Sequence, residues 1–149
     1  VRGLCAKPYP LHPHGCPNFG KKAGCPPTAP RLEEFFDTSL PTYVVWNVFP
    51  LGAHVRAMAA KHPDWSERQL YCCCLYWQPR ARAALETEIE RFLTLAPRLV
   101  ACRYVTRCPE AMGLDVTATM HSICVELEWP PRENAVQVAF VGARRSNSG

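Results

Sequence analysis

Cys16 and Cys25 each sit inside a Gly-Cys-Pro tripeptide in the stretch HGCPNFGKKAGCPP, residues 14–27, with eight residues between the two thiols. Gly and Pro break helix and strand and hold a loop in one shape, whereas a cysteine that only fills a core sits readily inside either element. Cys108-Pro109 repeats the setting further along the chain. Cysteines that ligate iron–sulfur clusters often precede proline, because proline ends regular structure and leaves neighbouring backbone N–H groups free to face sulfur. Cys5 and Cys102 complete five candidate ligands: Cys5, Cys16, Cys25, Cys102 and Cys108. A [4Fe-4S] cluster is the first expectation. A structural zinc site more often shows a C-x2-4-C chelate, and here ten residues separate Cys5 from Cys16 and eight separate Cys16 from Cys25. Zinc is therefore the alternative cofactor.

Around these thiols stand groups able to move protons or carry charge. Lys21, His14 and Glu110 are candidate acid–base residues, with His12 a further possible nitrogen ligand or relay. Lys21 and Lys22 fall between the two Gly-Cys-Pro units, where they can offset a cluster's negative charge or attract an anionic substrate. Arg103 and Arg107 flank the later cysteines in the same way. Tyr71, Tyr76 and Trp77 near Arg80 and Arg82 can stack a nucleobase, although an aromatic helix face more often packs a core.

Nine cysteines, an odd number with Cys72, Cys73 and Cys74 consecutive, fit a disulfide framework poorly and point to a reducing, cytoplasmic setting. Cys72, Cys73, Cys74 and Cys124 read as packing residues. The chain has 149 residues, 48% apolar and 20% charged, which suits one domain spanning residues 1–149. No apolar run approaches the ~20 residues that cross a bilayer, so no membrane partner is expected. The opening VRGLCAKPYPLHP lacks the apolar core of a secretory signal. A net charge of +4 allows an anionic partner without the footprint of a dedicated nucleic-acid binder.

These residues need elements to position them. Residues 1–30, rich in Pro, Cys and His, read as an irregular metal-binding loop segment. A short helix should follow Pro30, with Glu33 and Glu34 near its N-terminus. TYVVWNVF, residues 42–49, is β-branched and aromatic, as a buried strand requires. Leu51, Val55, Met58 and Ala59 recur at helical spacing up to His62-Pro63. Ser66 can cap the next helix, with Leu70, Cys73, Cys74 and Trp77 on one face, and Pro79 either kinks that helix or opens a new one. Leu85, Ile89, Phe92 and Ala96 make its apolar stripe. Residues 98–105 suit a second strand, and Asp115 or Thr117 can cap a helix with Val116, Met120, Ile123, Cys124 and Leu127 inward. Residues 135–142 alternate as a last strand, and residues 143–149 should fray. Strands separated by helices predict an α/β fold with a small, partly parallel sheet flanked by helices. Phosphate-cradling Gly-rich loops are absent.

CPNFGKKAGCPP followed by PEAMGLDVTATM resembles a family of uncharacterised metal-binding proteins of bacteria, archaea and phages. There a Cys-Pro-x-aromatic-Gly-Lys stretch precedes Cys-Pro-Pro, and a later cysteine-containing segment precedes a Gly-Ile-Asp-Val-like turn. The match covers residues 12–30 and 100–125. The resemblance implies that Cys16 and Cys25 are ligands, that Cys102 or Cys108 is a later one, and that residues 113–116 form the Gly-Asp-Val turn. This chain departs from longer members in keeping only Cys102 and Cys108 ahead of that turn. The family implies metal or cluster binding and no particular reaction.

Two functional classes follow. In the first, a [4Fe-4S] cluster is structural or transfers electrons to a redox partner when four cysteines ligate. When only three do, an open iron can serve an enzyme acting on a small, thiolated or oxygenated heterocycle. In the second, zinc stabilises an interaction module that contacts nucleic acid or a partner protein.

Overall fold

The computed structural model describes residues 1–9, 12–72, 77–97 and 104–145. After a 3-10 turn, Arg2–Ala6, and a run of turns come a short helix α1, Leu32–Phe35, strand β1, Tyr43–Phe49, and helices α2, Leu51–Lys61, and α3, Glu67–Cys72. Helix α4, Gln78–Leu95, leads to strand β2, Tyr104–Thr106, then helix α5, Val116–Ser122, and strand β3, Ala135–Gly142. Mixed helix and strand is the α/β character that the sequence predicts. Cys73, Cys74, Tyr76, Cys102 and Arg103 lie outside the described residues, as does most of the second strand expected over residues 98–105.

The sheet corrects the expected topology. Its strand order is β1-β3-β2 and both pairings are antiparallel, with Val45 opposite Ala139 and Val105 opposite Val141. Among the described residues no two neighbouring strands are parallel. The helical crossover from β1 to β2 returns the chain in the same direction, but β3 enters between them and opposes both. AVQVAFVG is the most continuously apolar of the three strands, and the central place is the one covered on both faces.

On one face, Val45, Ala139 and Val141 pack on Leu85 and Ile89 of α4, while Leu51 and Val55 of α2 close on Trp77, Ala81 and Ala135. The other face is covered by Val116 and Met120 of α5 against Val138 and Phe140. Each fully buried aliphatic side chain of this kind contributes about 1.5–3 kcal/mol. Pro79 lies in the first turn of α4, so it opens a new helix and does not kink an old one.

Helix α5 starts where Asp115 accepts a hydrogen bond from the Ala118 N–H at 2.9 Å, and it stops earlier than its periodicity suggests. The Val125 N–H donates to the Met120 carbonyl at 2.9 Å and the Cys124 N–H to the His121 carbonyl at 2.9 Å. This crossed pair closes the helix and places Cys124 in the left-handed region at φ 61°. Ile123 and Cys124 are therefore exposed, not core residues as their spacing predicts. Glycine suits that backbone without the cost of a Cβ, so Cys124→Gly should stabilise the fold by about 1 kcal/mol. Thermal unfolding checks this, and the metal content of that variant should equal that of the parent.

The chain from Ala143 to Arg145, expected to fray, is held. Ala143 is buried, Phe36 and Arg144 form a β-bridge, and the Arg145 N–H donates to the Phe35 carbonyl at 2.9 Å. Backbone pairing to residues just after the N-terminal loop overrides the polar composition of the tail.

Candidate metal centre

Residues 1–30 bury almost nothing: among those described, only Gly15, Pro26 and Ala29 are buried. Their order comes from hydrogen bonds between turns. The Cys16 N–H donates to the Cys5 carbonyl at 2.8 Å. Gly15, at φ 76°, makes that approach possible, since a Cβ there would stand 2.9 Å from the Cys5 oxygen. The Cys25 N–H donates to the Lys22 carbonyl at 3.0 Å, and the Cys25 carbonyl accepts from the Ala29 N–H and Thr28 Oγ1, each at 3.0 Å. Arg2 reaches across to the carbonyls of Pro27 and Ala29 at 2.8 and 2.7 Å, tying the turn that carries Cys5 to the loop behind Cys25.

Cys108 comes to the same place from the body of the fold. Pro109 is fully buried, and its carbonyl accepts from the N–H groups of Met112 and Leu114, each at 3.1 Å. The Leu32 N–H donates to the Met112 carbonyl at 3.0 Å, which locks this turn to the end of the N-terminal loop. Just before Cys108, Arg107 makes a two-pronged ion pair with Glu86 of α4. That pair fixes the point at which the chain leaves β2.

Burial and nearby charges act on two of these thiols and on Glu110. Cys5 is pushed above the ordinary thiol range, first by desolvation and then by the charges of Cys16, Cys25 and Glu110. Cys108 is raised first by desolvation, then by Glu110 and Cys25, while Lys22 and Arg82 oppose the shift. Burial likewise raises the Glu110 carboxyl, against the pull of a backbone hydrogen bond. Cys108 and Glu110 do keep accessible surface. The surface of Glu110 opens into a cavity lined by protein atoms, so water reaches the carboxyl without fully solvating its charged form. Glu110 thus bears on both Cys5 and Cys108, and Cys25 does so as well; the fifth candidate ligand, Cys102, lies outside the described residues.

No family model, curated protein or solved structure matches the chain. The resemblance in residues 12–30 and 100–125 rests on its motifs alone. The described residues do bring those two stretches together, with Cys16 and Cys25 in one and Cys108 in the other.

The donor set can be tested against the groups it would hold. At a Zn–S distance of about 2.3 Å, tetrahedral geometry draws the sulfurs to within about 3.8 Å of one another. Among the described residues no three His, Cys, Asp or Glu side chains are gathered as a cage for one ion. The spacing of the thiols therefore favours neither zinc nor a cluster. Cys5, Cys16, Cys25, Cys108 and Cys124 are free thiols.

Two cavities flank the wall made by Cys5 and Cys16. The larger, of ≈ 760 Å³, runs along the Ala135–Val138 stretch of β3, with Trp77, Trp129 and Glu110 among its walls. β2 pairs only with Phe140–Gly142, so it leaves that stretch of β3 uncovered. The smaller, of ≈ 460 Å³, takes in His12, His14, Lys21 and Arg68. The adjacent lysines therefore part company: Lys21 faces the smaller cavity and Lys22 faces Cys108.

Of the candidate acid–base residues, Glu110 stands among the thiols, and His14 and Lys21 stand one cavity away. Arg68 and Arg82 join the site from helices distant in sequence, and no local signal marks either for this role. The base-stacking reading of the aromatic face is corrected in part, since Trp77 is 8% exposed and belongs to the core beside α2.

The Arg107–Glu86 pair carries a pH prediction. The bonded guanidinium holds the Glu86 carboxyl below the usual carboxylate range. A depressed carboxyl stabilises the fold above its unfolded pKa of about 4.3, and that stability is lost as pH falls through the folded value. Both side chains remain 40–50% exposed, so solvent screening limits the effect at neutral pH to about 1 kcal/mol or less. Glu86→Gln should lower the unfolding midpoint slightly at pH 7, and the difference should fade below about pH 4. Thermal melts across that range check the sign.

Proposed function

We propose that this chain binds a [4Fe-4S] cluster through Cys5, Cys16, Cys25 and Cys108. The observation that carries the reading is the set of hydrogen bonds that ties the four cysteine-bearing turns to one another: the Cys16 N–H on the Cys5 carbonyl, Arg2 on the carbonyls of Pro27 and Ala29 behind Cys25, and the Leu32 N–H on the Met112 carbonyl of the turn after Cys108. When bound, the cluster would supply an electron-transfer centre or, with only three thiolates ligating, a Lewis acid. Lys22 and Arg82 beside Cys108 would offset its negative charge. Glu110, whose carboxyl burial raises above the usual carboxylate range, lines the larger cavity beside Cys5 and Cys16. The exposed indole of Trp129 in that cavity suits a flat heterocycle of the kind an open-site enzyme would take.

Zinc in a module for nucleic acid or a partner protein is the competing reading, and it requires the thiols to close to single-ion spacing. Anaerobic purification followed by metal analysis separates the two. The cluster reading expects a brown protein with broad visible absorption and about four irons per chain. A colourless protein holding about one zinc would overturn it.

A further inference from the structure

The wall formed by Cys5 and Cys16 sorts charge. Of the ionisable side chains lining the larger cavity, three are the carboxyls of Glu110, Asp115 and Glu128, against the single cation Lys7. Among the described residues the smaller cavity has no carboxyl in its lining: besides the two thiols its ionisable groups there are His12, His14, Lys21 and Arg68. Among the described residues neither Lys21 nor Arg68 is in an ion pair, although the fold pairs Arg56, Arg107 and Arg132 with carboxylates elsewhere. Lys21 comes from the loop between the Gly-Cys-Pro units and Arg68 from α3, so two distant segments place their cations in one concave space. Concave walls of one sign focus the field and concentrate counter-charged ligands.

We infer that this cavity is the site for a phosphate-bearing small molecule, its dianion held by Lys21 and Arg68 with the His12 and His14 rings beside it. A guanidinium presents paired N–H donors that match two phosphate oxygens, and an ammonium adds a compact charge. The ≈ 460 Å³ volume is of the size that takes a small ligand, and Phe19 gives it an apolar surface on which a ring can lie. This inference rests on the cluster reading for why a ligand would be brought against Cys5 and Cys16, so its test measures ligand binding and iron separately.

The experiment is calorimetric titration of the anaerobically purified full chain with uridine 5′-monophosphate, inorganic phosphate and uridine. The site predicts saturable binding of the nucleotide, no binding of uridine, and affinity about tenfold or more weaker in Lys21→Met and in Arg68→Met, the loss expected when a charged hydrogen bond is removed. Iron content should be the same in both variants as in the parent. Equal affinity for inorganic phosphate and nucleotide supports a site that reads the dianion alone. Tighter nucleotide binding supports a role for Phe19 as well, which Phe19→Ala should then abolish. The inference is overturned if neither phosphate compound binds at millimolar concentration, if uridine binds as well as its phosphate, or if the variant carrying both Lys21→Met and Arg68→Met binds unchanged. It is also overturned if the variants lose iron without any change in anion affinity, because the cations would then serve only to balance the metal centre. Intact phosphate binding in an iron-free parent would sink the cluster reading and leave the anion site standing.

Discussion

Cys16→Ala or Cys25→Ala should each strip most of the bound metal and release residues 1–30 from the body of the fold. The reason is the near absence of burial in that segment, where Gly15, Pro26 and Ala29 are the buried residues among those described. A segment that cannot bury apolar surface offsets its conformational entropy through hydrogen bonds and, when a metal is bound, through ligand bonds that exist only in the folded state. Iron analysis and limited proteolysis check the two halves of the expectation together. Loss of iron accompanied by faster cleavage within residues 1–30 is the expected pair. Full metal occupancy in both variants would remove Cys16 and Cys25 from the ligand set.

Phe36→Ala should cost about 3–5 kcal/mol, the largest stability effect expected of a single side chain here. Phe36 is 1% exposed, bridges Arg144, and sets its ring edge-on to Tyr104 at 5.8 Å. Its ring also occupies the space over Gly142, where a Cβ would meet Phe36 Cδ1 at 2.9 Å. Truncation therefore opens a cavity at the place where the N-terminal loop, the end of β3 and the tail are joined. Chemical denaturation gives the magnitude. Adding Gly142→Ala should partly refill the space, so the double variant should be destabilised by less than the sum of the two single changes. Iron per folded molecule should be unchanged, because Phe36 touches none of the four thiols proposed as ligands.

What the sequence determined by itself is local. The β-branched runs became β1 and β3, the period of Leu85 and Ile89 became the buried face of α4, Pro79 opened that helix, and Asp115 capped α5. Gly-Cys-Pro and Cys-Pro marked Cys16, Cys25 and Cys108 as loop cysteines, since Gly and Pro act on the backbone of their own residue and its neighbours. Only the tertiary structure decided what depends on partners far along the chain. The antiparallel, central position of β3 follows from its backbone pairing with strands far back along the chain, Tyr43–Phe49 and Tyr104–Thr106, which no window around residues 135–142 reveals. Helix α5 stops at Ser122 through a crossed pair of hydrogen bonds that apolar spacing does not encode, and this leaves Cys124 in solvent. The split of Lys21 from Lys22 and the arrival of Arg68 and Arg82 are likewise long-range. Electrostatic neighbours are set by distance in space, so of a basic pair adjacent in sequence Lys21 lines the smaller cavity with Cys5 and Cys16, while Lys22 opposes the upward shift of Cys108.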